Sequence, residues 1–129
     1  MKKEKVIKVL KVAPKEKPEV VELANDLDSL QKAVSIGMEG QGLIEIIELD
    51  ASTCILCNEE GKLLNLAPNR RLGRDILCGV FYVIGQNKFG DLCSLSPAAI
   101  ETYSKRFSEP EDILPSEAME AMFMRFMII

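Results

Sequence analysis

Cys54-Ile55-Leu56-Cys57-Asn58-Glu59-Glu60-Gly61-Lys62-Leu63 reads as an apolar strand running straight into a tight polar turn. Ser52 to Cys57 is the strand. Asn58 to Gly61 is the turn: Asn bonds its own backbone, and Gly accepts the positive φ that a bulged hairpin needs. Lys62 to Leu66 returns as a short strand, and Pro68 to Arg74 follows as a basic loop. Asp75 to Ile84 then alternates. Ile76, Cys78, Val80, Tyr82 and Ile84 share one face, and Leu77, Phe81 and Val83 the other. Both faces are apolar, which predicts a central strand covered on both sides.

Upstream, Val6 to Ala13 is a β-branched run. Pro14 and Pro18 bound a polar loop, and Glu19 to Leu23 resumes, so the two segments form a hairpin. Asn25 or Asp26 caps a helix that runs to about Ser35, with Leu27, Leu30, Ala33 and Val34 at helical spacing. Gly37, Gly40 and Gly42 end it. Leu43 to Leu49 alternates with Glu45 and Glu48 as a further strand. Downstream, Ser96-Pro97 opens a helix in N-cap and first-turn positions, with Ile100, Tyr103 and Phe107 as its stripe. Pro110 and Pro115 bound a linker, and a last helix runs from about Ser116. The expected fold is α+β: a mixed or antiparallel sheet of about five strands packed against two helices, plus a C-terminal helix. Residues 1–110 form the domain, and residues 111–129 the linker and a Met-rich helix.

A chain of 129 residues is one domain by length, and 47% hydrophobic content supplies one core. Residues 1–17 hold seven Lys and two Glu, a local +5, so the other 112 residues carry −9 within a net charge of −4. That balance argues against direct nucleic-acid binding. Charged residues interrupt every apolar run before it reaches the length of a secretory leader or a membrane span. A cytoplasmic protein is expected, with no membrane partner.

The chain has no His, so Ser-His-Asp and Cys-His catalysis and HExxH metal sites are excluded. No Gly-rich phosphate loop occurs. Cys54 and Cys57 form a CxxC, but no second pair accompanies it, and residues three apart on a strand point to opposite faces. These thiols are read as buried and structural. Glu59-Glu60 and Glu109-Glu111-Asp112 lie in turn-like sequence, a poor place to raise a carboxylate pKa by burial. No catalytic residue, metal site or cofactor is expected.

Two clusters are candidate binding residues. Asn58, Glu59 and Glu60 serve either as hairpin chemistry or as a binding turn. In Asn69, Arg70, Arg71 and Arg74, Arg70 either pairs with Glu59 or Glu60 and braces the turn, or offers its planar fork to a carboxylate or phosphate. The third candidate is the tail, where Met119, Met122, Phe123 and Phe126 fall at i, i+3, i+4 and i+7. A Met-rich face suits adaptable contacts. It packs on its own sheet, on a second copy as a homodimer, or on a protein partner.

The order of these features resembles the family called domain of unknown function 3846, small proteins of bacteria, phages and plasmids. The matching residues run from about Val6 to Pro110. They include Ile7-Lys8-Val9-Leu10, Leu30-Gln31-Lys32-Ala33-Val34, Ile44-Glu45-Ile46, the Cys57 to Lys62 turn, Pro68-Asn69-Arg70, Asp75-Ile76, Gly79 and Phe81. The resemblance implies an accessory protein of a mobile genetic element, from a family whose members often lie among counter-defence and DNA-transfer genes. The expected function is a non-enzymatic protein-interaction module, an inhibitor of a host defence component. The alternative is a small-ligand protein that binds a nucleotide or phosphate through Asn69, Arg70 and Arg71.

Overall fold

The computed structural model describes residues 4–36, 38, 40–61 and 66–128, with side chains up to residue 124. Strand β1, Val6–Val12, turns back into β2, Glu19–Ala24, with Val9 opposite Val21 and Ile7 opposite Leu23. Helix α1, Leu27–Ala33, starts at Asp26, whose carboxylate accepts the Ser29 N–H at 2.8 Å. Of the two candidates, Asn25 and Asp26, the second is the N-cap. Strands β3, Ile44–Asp50, and β4, Thr53–Asn58, form a second antiparallel hairpin.

Among the described residues, strands β5, Pro68–Leu72, and β6, Asp75–Cys78, pair with each other as a second, two-stranded sheet. Strand β7, Phe81–Gln86, enters the main sheet, and the two-residue β8, Leu92–Cys93, pairs with its end. Helix α2, Pro97–Arg106, is capped by Ser96 with Pro97 in its first turn, and α3 is Pro115–Ile128. The main sheet runs β2-β1-β7-β4-β3, with β8 beside β7, and every pairing is antiparallel. The fold is α+β, and α3 is the expected C-terminal helix.

The sheet is covered on both faces. On one lie Leu10, Val12, Ile55, Cys57, Phe81 and Val83, packed under Tyr103 and Phe107 of α2 and Leu77 of β6. On the other lie Ile7, Val9, Cys54, Leu56, Tyr82 and Ile84, packed under Leu30 and Val34 of α1. The alternation expected along Val80 to Ile84 is therefore present in the two cores. Cys54 and Cys57 sit in different cores, as residues three apart on a strand must.

Two expectations need correction. Asp75 to Ile84 is two strands in different sheets, because Gly79 at φ +79° turns the chain between Cys78 and Phe81. Pro68 to Arg74 is not a basic loop; its first five residues are β5, and Asn69 and Arg70 within it are buried. The return strand expected at Lys62 to Leu66 falls, save for Leu66, outside the described residues, as does Gly37. Among the described residues, no helix is long and apolar enough to cross a membrane.

Helix α3 packs beside β6 through a third cluster: Leu66, Ile76, Cys78, Ile113 and Ala118, with Met38 and Ala121 at its margin. Met122 is also buried, whereas Met119 and Phe123 are exposed, Phe123 at 60%. The expected stripe of Met119, Met122, Phe123 and Phe126 is thus split. The helix turns Ala118 and Met122 inward and Met119 and Phe123 outward. The side chain of Phe126 lies outside the described residues.

Candidate functional site

Arg70 is the largest fully buried side chain, at 1% exposure. Its nitrogens meet only backbone carbonyls and one amide. Nε and Nη2 donate to the Phe107 carbonyl at 3.2 and 3.1 Å, and Nη2 also donates to the Glu16 carbonyl at 2.6 Å. Nη1 donates to the Asn69 side-chain oxygen at 2.7 Å and to the Asn69 carbonyl at 3.3 Å. Five contacts match the five N–H groups that a guanidinium carries. Burial pulls the Arg70 pKa below its usual value, and the Glu111 charge pushes it back up. Phe107 is the C-cap of α2, so the cation also faces the negative end of that helix dipole.

Asn69 completes the arrangement. Its side-chain N–H2 donates to the Val12 carbonyl at 2.8 Å and the Gly79 carbonyl at 2.9 Å. The Asn-Arg pair therefore ties four parts of the chain: the end of β1, the β1–β2 turn, the β6–β7 bend and the end of α2. Arg70 braces the fold, but through Phe107 and Glu16 and not through Glu59 or Glu60. Its guanidinium carries no donor left over for a phosphate.

Arg71 points the other way. Its guanidinium meets Glu117 of α3 at 2.5 Å and Glu111 of the linker at 3.5 Å, and its backbone N–H donates to Glu111 at 2.9 Å. The Arg71 contact holds the Glu117 carboxyl below its ordinary range. So adjacent residues of β5 face opposite tasks: Arg70 closes the interior and Arg71 fastens the tail. Arg74 is exposed.

The Asn58 turn is also spent on architecture. Asn58 is buried; its N–H2 donates to the Val34 carbonyl at 3.2 Å, and its oxygen accepts the Glu60 N–H at 2.9 Å. That local bond is the Asx chemistry expected of Asn. Gly61 is required for a different reason than expected. It has no positive φ; a Cβ there would lie 2.8 Å from the Cys78 carbonyl oxygen. The close approach of β6 demands Gly. Glu59 and Glu60 remain exposed, beside a cleft of about 30 Å³ that also touches Glu45 and Asp75. Ligand pockets run from about 300 Å³ upward.

Larger concavities lie by the tail. A groove of about 310 Å³ is lined by Leu66, Ala67, Pro68, Cys78, Ala118 and Met119. A second, of about 420 Å³, meets it at Leu66 and Ala67 and reaches Pro14, Ile36 and Val80. Exposed Met119, Phe123 and Met124 continue this apolar surface on α3. The apolar, Met-rich character of the tail was legible in the sequence. The grooves were not, because Pro14, Ile36, Leu66 and Met119 come from four separate segments that no periodicity connects. Among the described residues, no three Cys, Asp or Glu converge as a metal site.

The sequence pattern of the family described as domain of unknown function (DUF3846) matches residues 7–108. The match ends before α3. No curated protein and no solved structure matches the chain.

Proposed function

The chain belongs to the DUF3846 family, and from that premise we propose that it is a non-enzymatic protein-interaction module of a mobile genetic element. It acts in the cytoplasm by occupying the surface of a host defence component. The observation that carries this reading is the division of labour among side chains. Asn58, Asn69, Arg70 and Arg71, the polar groups best suited to hold a small ligand, are engaged within the fold. An unspent apolar surface is the outer side of α3, where Met119, Phe123 and Met124 stand exposed beside an apolar groove. Exposed aromatic and Met side chains next to a groove are what protein contacts use. The same division weighs against the nucleotide or phosphate reading, which needs free donors at Asn69, Arg70 and Arg71.

The experiment is affinity capture from the native host, with mass spectrometry, using the wild type and Phe123→Glu side by side. The captured protein is then purified and titrated against both. Binding that is lost in Phe123→Glu while the melting temperature holds supports the reading. Unchanged binding by Phe123→Glu, or a thermal shift produced by a nucleotide, refutes it.

A further inference from the structure

Both edges of the main sheet are open among the described residues, β2 on one side and β3 on the other. Their charges differ in kind. On β2, Glu22 lies opposite Lys8 and Glu19 opposite Lys11, so each carboxylate has a cation across the strand. On β3, Glu48 lies opposite Cys54 and Asp50 opposite Thr53. Glu59 and Glu60 follow β4 directly, and the Glu59 N–H donates to the Leu43 carbonyl, which places them at the start of β3. Among the described residues, no ion pair involves Glu48, Glu59 or Glu60, whereas Asp50 is spent within the fold, accepting from the Tyr103 hydroxyl at 2.5 Å and the Ser52 N–H at 2.8 Å. The β3 edge thus carries exposed carboxylates at both ends of a strand about 20 Å long.

The backbone of that edge is in regular register from Ile44 to Glu48, and a register shift follows between Glu48 and Asp50. Leu43 pairs inward with Glu59, Glu45 with Cys57 and Ile47 with Ile55, so the N–H and C=O groups of Ile44, Ile46 and Glu48 point away from β4. No Pro or Lys blunts it. Leu43 and Ile46 are about half exposed, at 53% and 48%, so an added strand has apolar surface to cover as well as ladder bonds to make. The carboxylates repel a second copy of the same edge. They attract a strand that carries Lys or Arg.

We propose that the free edge of β3 is a docking edge that takes an extended, Lys- or Arg-bearing segment of a partner protein as an added strand. Main-chain bonds to Ile44, Ile46 and Glu48 hold the segment, and Glu48, Glu59 and Glu60 select its charge. This surface is separate from the outer face of α3, so either can fail without the other.

The probe is a fluorescent ten-residue peptide alternating Lys and Val, with a Glu-Val peptide as control, read by anisotropy and by amide exchange. Ile46→Pro removes an outward N–H and no ladder bond, which an edge strand tolerates. Its fold is checked by thermal melting, and Glu48→Lys provides a second variant that leaves the backbone intact. The expected result is binding of the Lys-Val peptide alone, with slowed exchange at Ile44, Ile46 and Glu48. Affinity falls about tenfold in Ile46→Pro, as loss of a bond and close approach implies. Glu48→Lys weakens the Lys-Val peptide and improves the Glu-Val one. Any of four results overturns the proposal: no binding at millimolar peptide, equal binding of the two peptides, protection mapped to α3, or a dimer in light scattering that Ile46→Pro abolishes.

Discussion

Arg70 grips the carbonyl of Phe107 with two nitrogens, Nε at 3.2 Å and Nη2 at 3.1 Å, at the point where α2 ends. The two residues are 37 positions apart, and the bond fixes α2 over the sheet while closing the end of its carbonyl ladder.

Arg70→Ala removes a buried cation and strands the carbonyls of Phe107 and Glu16. A loss of about 1–3 kcal/mol for each stranded carbonyl is expected from urea unfolding. Arg70→Lys recovers only part of it, because three rotatable donors cannot replace a planar fork of five. A ligand-like effect, such as a nucleotide that stabilises the wild type and not Arg70→Ala, would contradict the structural role.

Gly79→Ala strains the bend that separates β6 from β7. Gly79 has φ +79°, and a Cβ would fall 2.9 Å from Leu66 Cδ1. A destabilisation of about 1–3 kcal/mol is expected. A wild-type melting temperature would show that this bend is softer than its geometry indicates.

Acid should loosen the tail. The Glu117 pKa is lowered from 4.5 by the Arg71 contact, with a smaller contribution from the Leu114 N–H. A carboxyl whose folded pKa is lowered adds stability above its unfolded pKa and loses it as pH falls through the folded value. Protection of the α3 amides, measured against the intrinsic exchange rate at each pH, should therefore fall below pH 4.5. In Arg71→Gln, the Glu117 titration, followed by NMR, should move up toward the ordinary value. If it stays where it is in the wild type, Arg71 does not hold the tail.

The two sides of α3 should respond differently to truncation. Met122 is buried and Phe123 is 60% exposed. Met122→Ala is expected to cost about 2 kcal/mol and Phe123→Ala less than about 0.5 kcal/mol. Equal costs would mean that the helix is rotated from this placement.

The thiols supply a fifth test. Burial, with smaller contributions from Cys93 and Glu48, pushes the Cys54 pKa up to about 11. Cys54 should resist a disulfide reagent at neutral pH until the chain unfolds. Cys54 and Cys57 lie in different cores, so zinc should not bind at one equivalent per chain. Stoichiometric zinc, measured by elemental analysis, would overturn that divergence.

What the sequence determined by itself is local. Asp26 and Ser96 have the side chains that cap a helix start, and both do so. The alternation from Val80 to Ile84 assigns each side chain to a face, because the period of a strand is two whatever lies around it. The missing His excludes whole classes of chemistry without reference to any fold.

Tertiary structure alone decided the rest. Asn-Arg in a basic run reads as a loop whose Arg braces the neighbouring Glu59-Glu60 turn or meets a ligand, since a buried Arg is rare unless paired. Its partners here are carbonyls of Phe107 and Glu16, 37 and 54 residues away, and a carbonyl leaves no mark on a sequence. The break at Gly79 and the close approach at Gly61 depend likewise on Leu66 and Cys78 arriving from elsewhere. Side-chain periodicity encodes which face is apolar; it does not encode which distant backbone will come to meet it. That meeting made Arg70 a brace, turned Phe123 outward and left the edge of β3 open.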